Sequence, residues 1–299
     1  MVIKNRSRIC LIISAAIIAI ALLLTVFGHG INMGIDFAGG QSVVYKLTKD
    51  SAVDKAAVEK VLSDMNIGSF TVTVQGSASN EVNLRLRDVA EENIETVMDD
   101  FQARITETYP DAALDSRSSV GPVAGAALLK NAIFSVLIAS ALMLIYIAIR
   151  FDLNSGLAAV FGLIHDVLIM LSFMVILRSV IQMNSSFIAA ALTIVGYSIN
   201  NTIVIFDRIR ENAKKMPTAA REEVANISVR ESLGRTVCTT ITTLITIVAL
   251  CILGVAAIRE FALPIIVGIL SGVYSANMIN PYVWAFLEEK RRARKAKKA

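Results

Sequence analysis

Cysteine is scarce in this 299-residue chain, with three in all, and none falls between positions 28 and 122. That segment therefore has no disulfide, and no thiol spacing suited to a metal exists anywhere. Cys10, Cys238 and Cys251 all sit in or beside long apolar runs. The spacing of a phosphate-binding Walker loop is missing too. No nucleophile or metal cluster accompanies His165 and Asp166 inside their apolar run, which argues against an intramembrane enzyme. The chain thus reads as a non-enzyme that needs neither cofactor nor metal.

Charge is unevenly spread. Residues 28–124 carry 15 acidic and 8 basic groups, a balance of −7, so the rest carries +11 within a net formal charge of +4. Membrane topology and anionic lipid account for the basic part, and no nucleic-acid partner is implied.

Apolar residues make up 55% of the chain and the mean hydropathy is +0.62, too apolar for one ordinary soluble domain. Six segments are long enough to cross a bilayer, at 9–27, 123–149, 155–177, 184–206, 236–255 and 261–287. Lysines and arginines precede the first span, follow the second, and number seven in 207–235 and seven in 290–298. The opposite side has only Arg178 and Arg259 in its short loops. The positive-inside rule then places both termini in the cytoplasm and residues 28–122 outside. Trp284 and Tyr282 suit an inner interfacial belt. The first span lacks a small-residue cleavage pattern after Phe27 and reads as an uncleaved anchor.

The division is accordingly a tail and first helix at 1–27, an outer domain at 28–122, five helices at 123–287 with a cytoplasmic loop at 207–235, and a basic tail at 288–299. Residues 28–41 hold five glycines and the single acid Asp36. They suit a junction between membrane and outer domain, although composition alone favours a flexible linker. Beyond them strand patterns at 42–47, 70–74, 81–87 and 113–119 interleave with helical patterns at 52–65 and 89–109, with a turn at 76–80. The order β-α-β-β-α-β predicts a small ferredoxin-like α+β domain.

Chemistry concentrates in the spans. Asp166 lies about ten residues into the third, where a carboxylate costs about 2.5–3.5 kcal/mol to insert. It reads as a proton-handling or ion-binding group, the alternative being a hydrogen bond that only fixes packing. His165 points to another helix face and reads as packing. The fourth span carries Gly196, Tyr197, Ser198, Asn200, Asn201 and Thr202 before ending in Asp207 and Arg208. Lipid leaves such amides and hydroxyls unsatisfied, so they should face other helices or a hydrated cavity. In the fifth span Arg235, Thr239, Thr242, Thr243 and Thr246 share a face. Arg235 suits pairing with Asp166, Asp207 or the fourth span, or is an ordinary positive flank. The 207–234 connection predicts an interfacial helix starting near Pro217. Gly268 and Gly272 form a GxxxG, and Asn277, Asn280 and Pro281 predict a kink.

GIDFAGG at 34–40, HD at 165–166, VGYSINNTIVIFDRIREN at 195–212 and the RT opening at 235 resemble the bacterial SecF family of protein-export membrane subunits. The motif residues carrying the likeness are Gly34, Asp36, Phe37, Gly39, Gly40, His165, Gly196, Tyr197, Ser198 and Arg208. The resemblance implies a SecD partner, docking to the SecYEG channel, contact with a translocating preprotein, and proton coupling as in the resistance-nodulation-division superfamily. The family usually has Asn-Asp where this chain has Asn200-Asn201, and that Asp is paired with an arginine at the position of Arg235. Because Asn201 does not titrate, the relay falls to a SecD carboxylate or to Asp166, or coupling is weakened, or the coupling ion is sodium. The ion-path candidates are Asp166, Asn200, Asn201, Arg235, Thr239 and Asp207. A small-molecule exporter of the same superfamily and a purely partner-stabilising subunit are the alternatives.

Overall fold

The computed structural model describes residues 3–47, 52–67, 70–75, 80–86, 93–179, 181–254 and 256–297. In order, the elements are α1 (Ile3–Val26), α2 (Ile35–Ala38), β1 (Gly40–Lys46), α3 (Lys55–Asp64), β2 (Phe70–Gln75), β3 (Glu81–Leu86), α4 (Ile94–Thr108) and β4 (Ala113–Val120). There follow α5 (Pro122–Arg150), α6 (Leu153–Ile176), α7 (Ser186–Lys215), α8 (Arg221–Leu253), α9 (Ala256–Met278) and α10 (Asn280–Ala296). Most of the turn at 76–80 and the start of the helix expected at 89 lie outside the described residues.

The four strands pair antiparallel in the order β2-β3-β1-β4. Gln41 faces Leu86 across one side of β1 and Ser119 across the other, with a register shift between Val44 and Tyr45. Side chains of period two put Val43, Tyr45, Val82 and Leu84 on one face, where Val58, Leu62, Ile94, Phe101 and Ile105 of α3 and α4 cover them. Asp54 caps α3 by accepting from the Ala56 amide at 2.9 Å. Asn83 and Arg85, on the other face of β3, are buried as well. A polar sheet face removed from solvent must meet something polar, and its partner is on a membrane helix.

Six helices are long and apolar enough to cross a membrane. Half or more of α6, α7 and the α9–α10 segment is buried, whereas α1, α5 and α8 bury little. The bundle's centre is therefore α6, α7 and α9, with the other three at its margin. Gly268 and Gly272 make the central seam possible. A Cβ on Gly268 would strike the Ile194 side chain, and one on Gly272 would lie 3.2 Å from Ser198 Cα. The chance-prone GxxxG is here a true contact between α7 and α9.

One expectation changes in detail. The 207–235 connection has no separate interfacial helix: α7 runs on to Lys215 and α8 begins at Arg221, leaving 216–220 between them. Gly234 costs a helix only about 1 kcal/mol, too little to break one whose flanks are good helix formers. The sixth span divides at Ile279, just before Pro281, as its Asn and Pro content predicts. Pro264 also lies inside α9.

Candidate functional site

Asp166 is fully buried at 0% exposure on α6. Ser198 of α7 donates to Oδ2 at 2.5 Å, Ser275 of α9 donates to Oδ2 at 2.8 Å, and Ser271 of α9 donates to Oδ1 at 2.7 Å. Ser271 and Ser275 are four apart, so one face of α9 presents both. Hydrogen bonds to a charged group are worth about 1.5–3 kcal/mol each. Three of them outweigh the ~2.5–3.5 kcal/mol insertion cost of the carboxylate. Gly272 keeps that wall of the cage thin, since its Cβ would stand 3.7 Å from Asp166 Oδ2.

His165 is part of this cage, contrary to its reading as packing. Successive helix residues diverge by about 100°, but the imidazole turns back and Nδ1 meets Asp166 Oδ1 at 3.0 Å. Its Nε2 meets Ser14 Oγ of α1 at 2.7 Å, and its ring stacks on Tyr274 with centroids 6.0 Å apart. The Tyr274 hydroxyl donates to the Cys10 carbonyl at 2.6 Å, and Ser14 donates to the Tyr274 oxygen at a longer 3.5 Å. The imidazole thus bridges Ser14 of α1 to the Asp166 carboxyl. Four helices meet at this buried cluster.

The other candidates are dispersed. Asn201 is buried beside Thr202, whose Oγ1 accepts from Asn280 Nδ2 at 2.9 Å. Gly162 leaves room for that Asn280 amide. Asn200 is exposed. Asp207 pairs with Arg150 at 3.2 Å, and Arg208 pairs with Glu211 and Glu231. Arg235 meets neither Asp166 nor Asp207. The buried side of α8 is Ser228, Ser232, Thr236 and Thr240, while Arg235, Thr239, Thr242 and Thr246 are exposed. Those threonines back-bond to their own helix, Thr239 to the Arg235 carbonyl at 2.8 Å. Thr243 reaches the Tyr197 hydroxyl at 3.5 Å. Both faces of α8 are polar at helical spacing, so periodicity alone did not tell them apart. Gly196 has open space around it.

The glycine segment is a docked junction rather than a loose linker. Gly34 N–H donates to the Met183 carbonyl at 2.8 Å, and Asp36 Oδ2 accepts from the Ser185 amide at 2.7 Å. Phe37 is buried, and Gly125 of α5 lies so close to the Phe37 carbonyl that a Cβ there would approach within 3.0 Å. Gly39 and Gly40 have φ of 76° and 120°, a region side chains rarely enter. Beside this junction Glu260 of α9 accepts from Asn184 Nδ2 at 2.5 Å and pairs with Arg85 of β3 at 3.4 Å. Sequence reasoning missed Ser14, Ser271, Ser275, Tyr274, Arg85 and Glu260. The only trace of these missed residues was the four-residue step from Ser271 to Ser275.

Comparison with known proteins gives a consistent picture. Residues 100–290 match the family model for the C-terminal region of the protein export membrane proteins SecD/SecF, and 25–51 match the SecD/SecF GG motif. The protein translocase subunit SecF of Rickettsia bellii is 35% identical over 261 residues, covering 87% of this chain and 84% of the relative. That of Sebaldella termitidis is 38% identical, covering 85% and 81%. The crystal structure of SecDF, a translocon-associated membrane protein from Thermus thermophilus, superposes with a TM-score of 0.81 at 32% identity over 95% of this chain. A SecDF structure in a super-membrane-facing form gives 0.70. The chain spans 38% of the first SecDF chain and 40% of the second.

Proposed function

The chain belongs to the SecD/SecF family of protein export membrane proteins, and on that premise we propose that it is the SecF-like subunit of an auxiliary translocase of SecDF type. It is a multi-pass protein of the cytoplasmic membrane. In the proposed arrangement both termini are cytoplasmic and the sheet, a ferredoxin-like module, lies outside. The subunit is no enzyme: it uses a proton or sodium gradient, with a SecD-like partner, to assist late export of preproteins through SecYEG.

The observation that carries this reading is the linkage of two places by the same helix pair. α7 and α9 supply Ser198, Ser271 and Ser275 to the Asp166 cage, and the segment leading into α7 together with α9 supplies Asn184 and Glu260 beneath the sheet. A change of protonation at His165–Asp166 alters which hydroxyls the cage holds, so it biases how α7 and α9 sit. One charge crossing the membrane supplies about 2.3 kcal/mol per 100 mV, enough for a few protons to shift two states differing by several kcal/mol. The exposed Arg235, at the head of the threonine stripe, suits a polar face of the SecD-like partner. Asn201 leaves the titratable role to Asp166 or to a carboxylate of that partner.

The test is purification of the tagged chain from mildly solubilised native membranes, with its companions identified by mass. Recovery of a SecD-like protein and channel subunits is expected. Recovery of the chain alone, or with an efflux partner, would overturn the export reading.

A further inference from the structure

The basic end of α10 carries a feature that export leaves unused. Leu287, Lys290, Arg294 and Lys297 follow one another at three- and four-residue steps, with Arg291 four residues after Leu287, which lines them along one side of the helix. That face and the start of α6 enclose a cavity of about 860 Å³, completed by Leu153, Asn154 and Leu157. Its lining holds three leucines and four cations but no acid. Leu153 and Leu157 are largely exposed, at 76% and 49%, although they are apolar. Arg291 is held in place from behind: Nη2 donates to Glu288 at 2.6 Å, and Glu288 accepts from Asn154 at 2.6 Å. Lys290 lies over the Phe286 ring.

Depth decides what such a groove fits. Leu153 and Leu157 belong to the first turns of the membrane-crossing helix α6, and at about 1.5 Å per residue Lys297 lies some 15 Å beyond Leu287 along α10. The leucines therefore stand where acyl chains begin, with the cations at and beyond the headgroups. We propose that this groove between α6 and α10 seats an anionic phospholipid of the inner leaflet. Its phosphate is held by Arg291, Arg294 and Lys290, and its chains lie against Leu153, Leu157 and Leu287. A soluble polyanion would use the cations alone, leaving the three leucines wet. A lipid uses both halves of the groove.

The experiment uses the full chain in detergent, titrated with phosphatidylglycerol and, separately, phosphatidylcholine, with bound lipid counted by native mass spectrometry. Tight retention of phosphatidylglycerol over phosphatidylcholine is expected. The double variant Arg294→Gln/Lys297→Gln, at exposed positions, should bind phosphatidylglycerol roughly 30-fold more weakly, from about 1 kcal/mol per cation. A charge-matched control, Lys214→Gln/Arg230→Gln, should stay within about twofold of the parent. Equal losses in both variants would reduce the effect to overall charge and overturn the site. Equal retention of the two lipids, or displacement of phosphatidylglycerol by millimolar inorganic phosphate, would overturn it as well.

Discussion

Arg85, next to the last residue of β3, and Glu260, near the sheet-side end of α9, stand 3.4 Å apart with side chains only 10% and 14% exposed. Asn184 holds the second oxygen of the same carboxylate. This ion pair fastens a sheet to a membrane helix far away in sequence, and it explains why a polar strand face is buried.

Breaking the pair from either end leaves a charge in a poorly hydrated place. Arg85→Gln and Glu260→Gln should each lower thermal stability by about 1–3 kcal/mol, and the double variant by less than their sum. Thermal unfolding in detergent measures this. Strict additivity would mean that the two groups do not interact.

Asp166→Asn keeps shape and volume but removes the only carboxyl of the cage. It should abolish stimulation of export in a depletion strain while partner levels remain normal. Ser271→Ala and Ser275→Ala should each cost about 1 kcal/mol of stability and reduce export only partly. A subunit that merely stabilises its partner would keep export when Asp166→Asn is combined with Arg235→Gln.

The glycine seam predicts a graded response. Gly268→Ala meets the Cδ1, Cγ1 and Cγ2 atoms of the Ile194 side chain, so it should destabilise by about 1–3 kcal/mol and be relieved by Ile194→Ala. Gly272→Val faces backbone at Ser198, which has no such freedom, and should prevent folding of the bundle. Equal tolerance of the two changes, read as yield of monodisperse protein, would contradict this packing.

Cys238 is exposed on α8, four residues before Thr242 and eight before Thr246, hence on the same side as the threonine stripe. A membrane-permeant maleimide should label it readily in the isolated chain and at least fivefold more slowly in the complex, by the protection that a covering helix gives. Unchanged labelling would place the partner elsewhere.

Tyr45 sits in the core of the sheet domain, its hydroxyl beside the Met98 carbonyl at 3.5 Å. Burial, with Asp99 nearby, pushes its phenol from 10.0 up to about 12. The fold thus favours the neutral phenol. Its contribution is complete below pH 10 and is lost as pH rises toward 12. Tyr45→Phe should flatten the loss of stability above pH 10, as followed by circular dichroism.

The spans and strands were legible because hydropathy and alternation are local properties. The break before Pro281 followed from a missing N–H. The burial of α8 was not legible, since Thr236 and Thr240 look no different in sequence from Thr239 and Thr243. The cage stayed hidden for another reason: Ser14, Ser198, Ser271 and Ser275 come from three helices, and no spacing along the chain brings them together. His165 misled because its backbone direction diverges from Asp166 while its ring does not. The 28–41 glycines looked flexible because composition records freedom and says nothing of the Met183 and Ser185 backbone that removes it.

Pro264 lies between Glu260 and the cage serines, and it has no N–H to offer the Glu260 carbonyl four residues before it. In mechanical terms α9 is a jointed rod, not a stiff lever. A load on the sheet bends the rod first at this joint, and only what exceeds the joint's compliance reaches Ser271, about 10 Å further along. Stiffening the joint with Pro264→Ala would tighten the transmission in both directions, so that tugging on the sheet is felt at Asp166 and each proton is felt at the sheet.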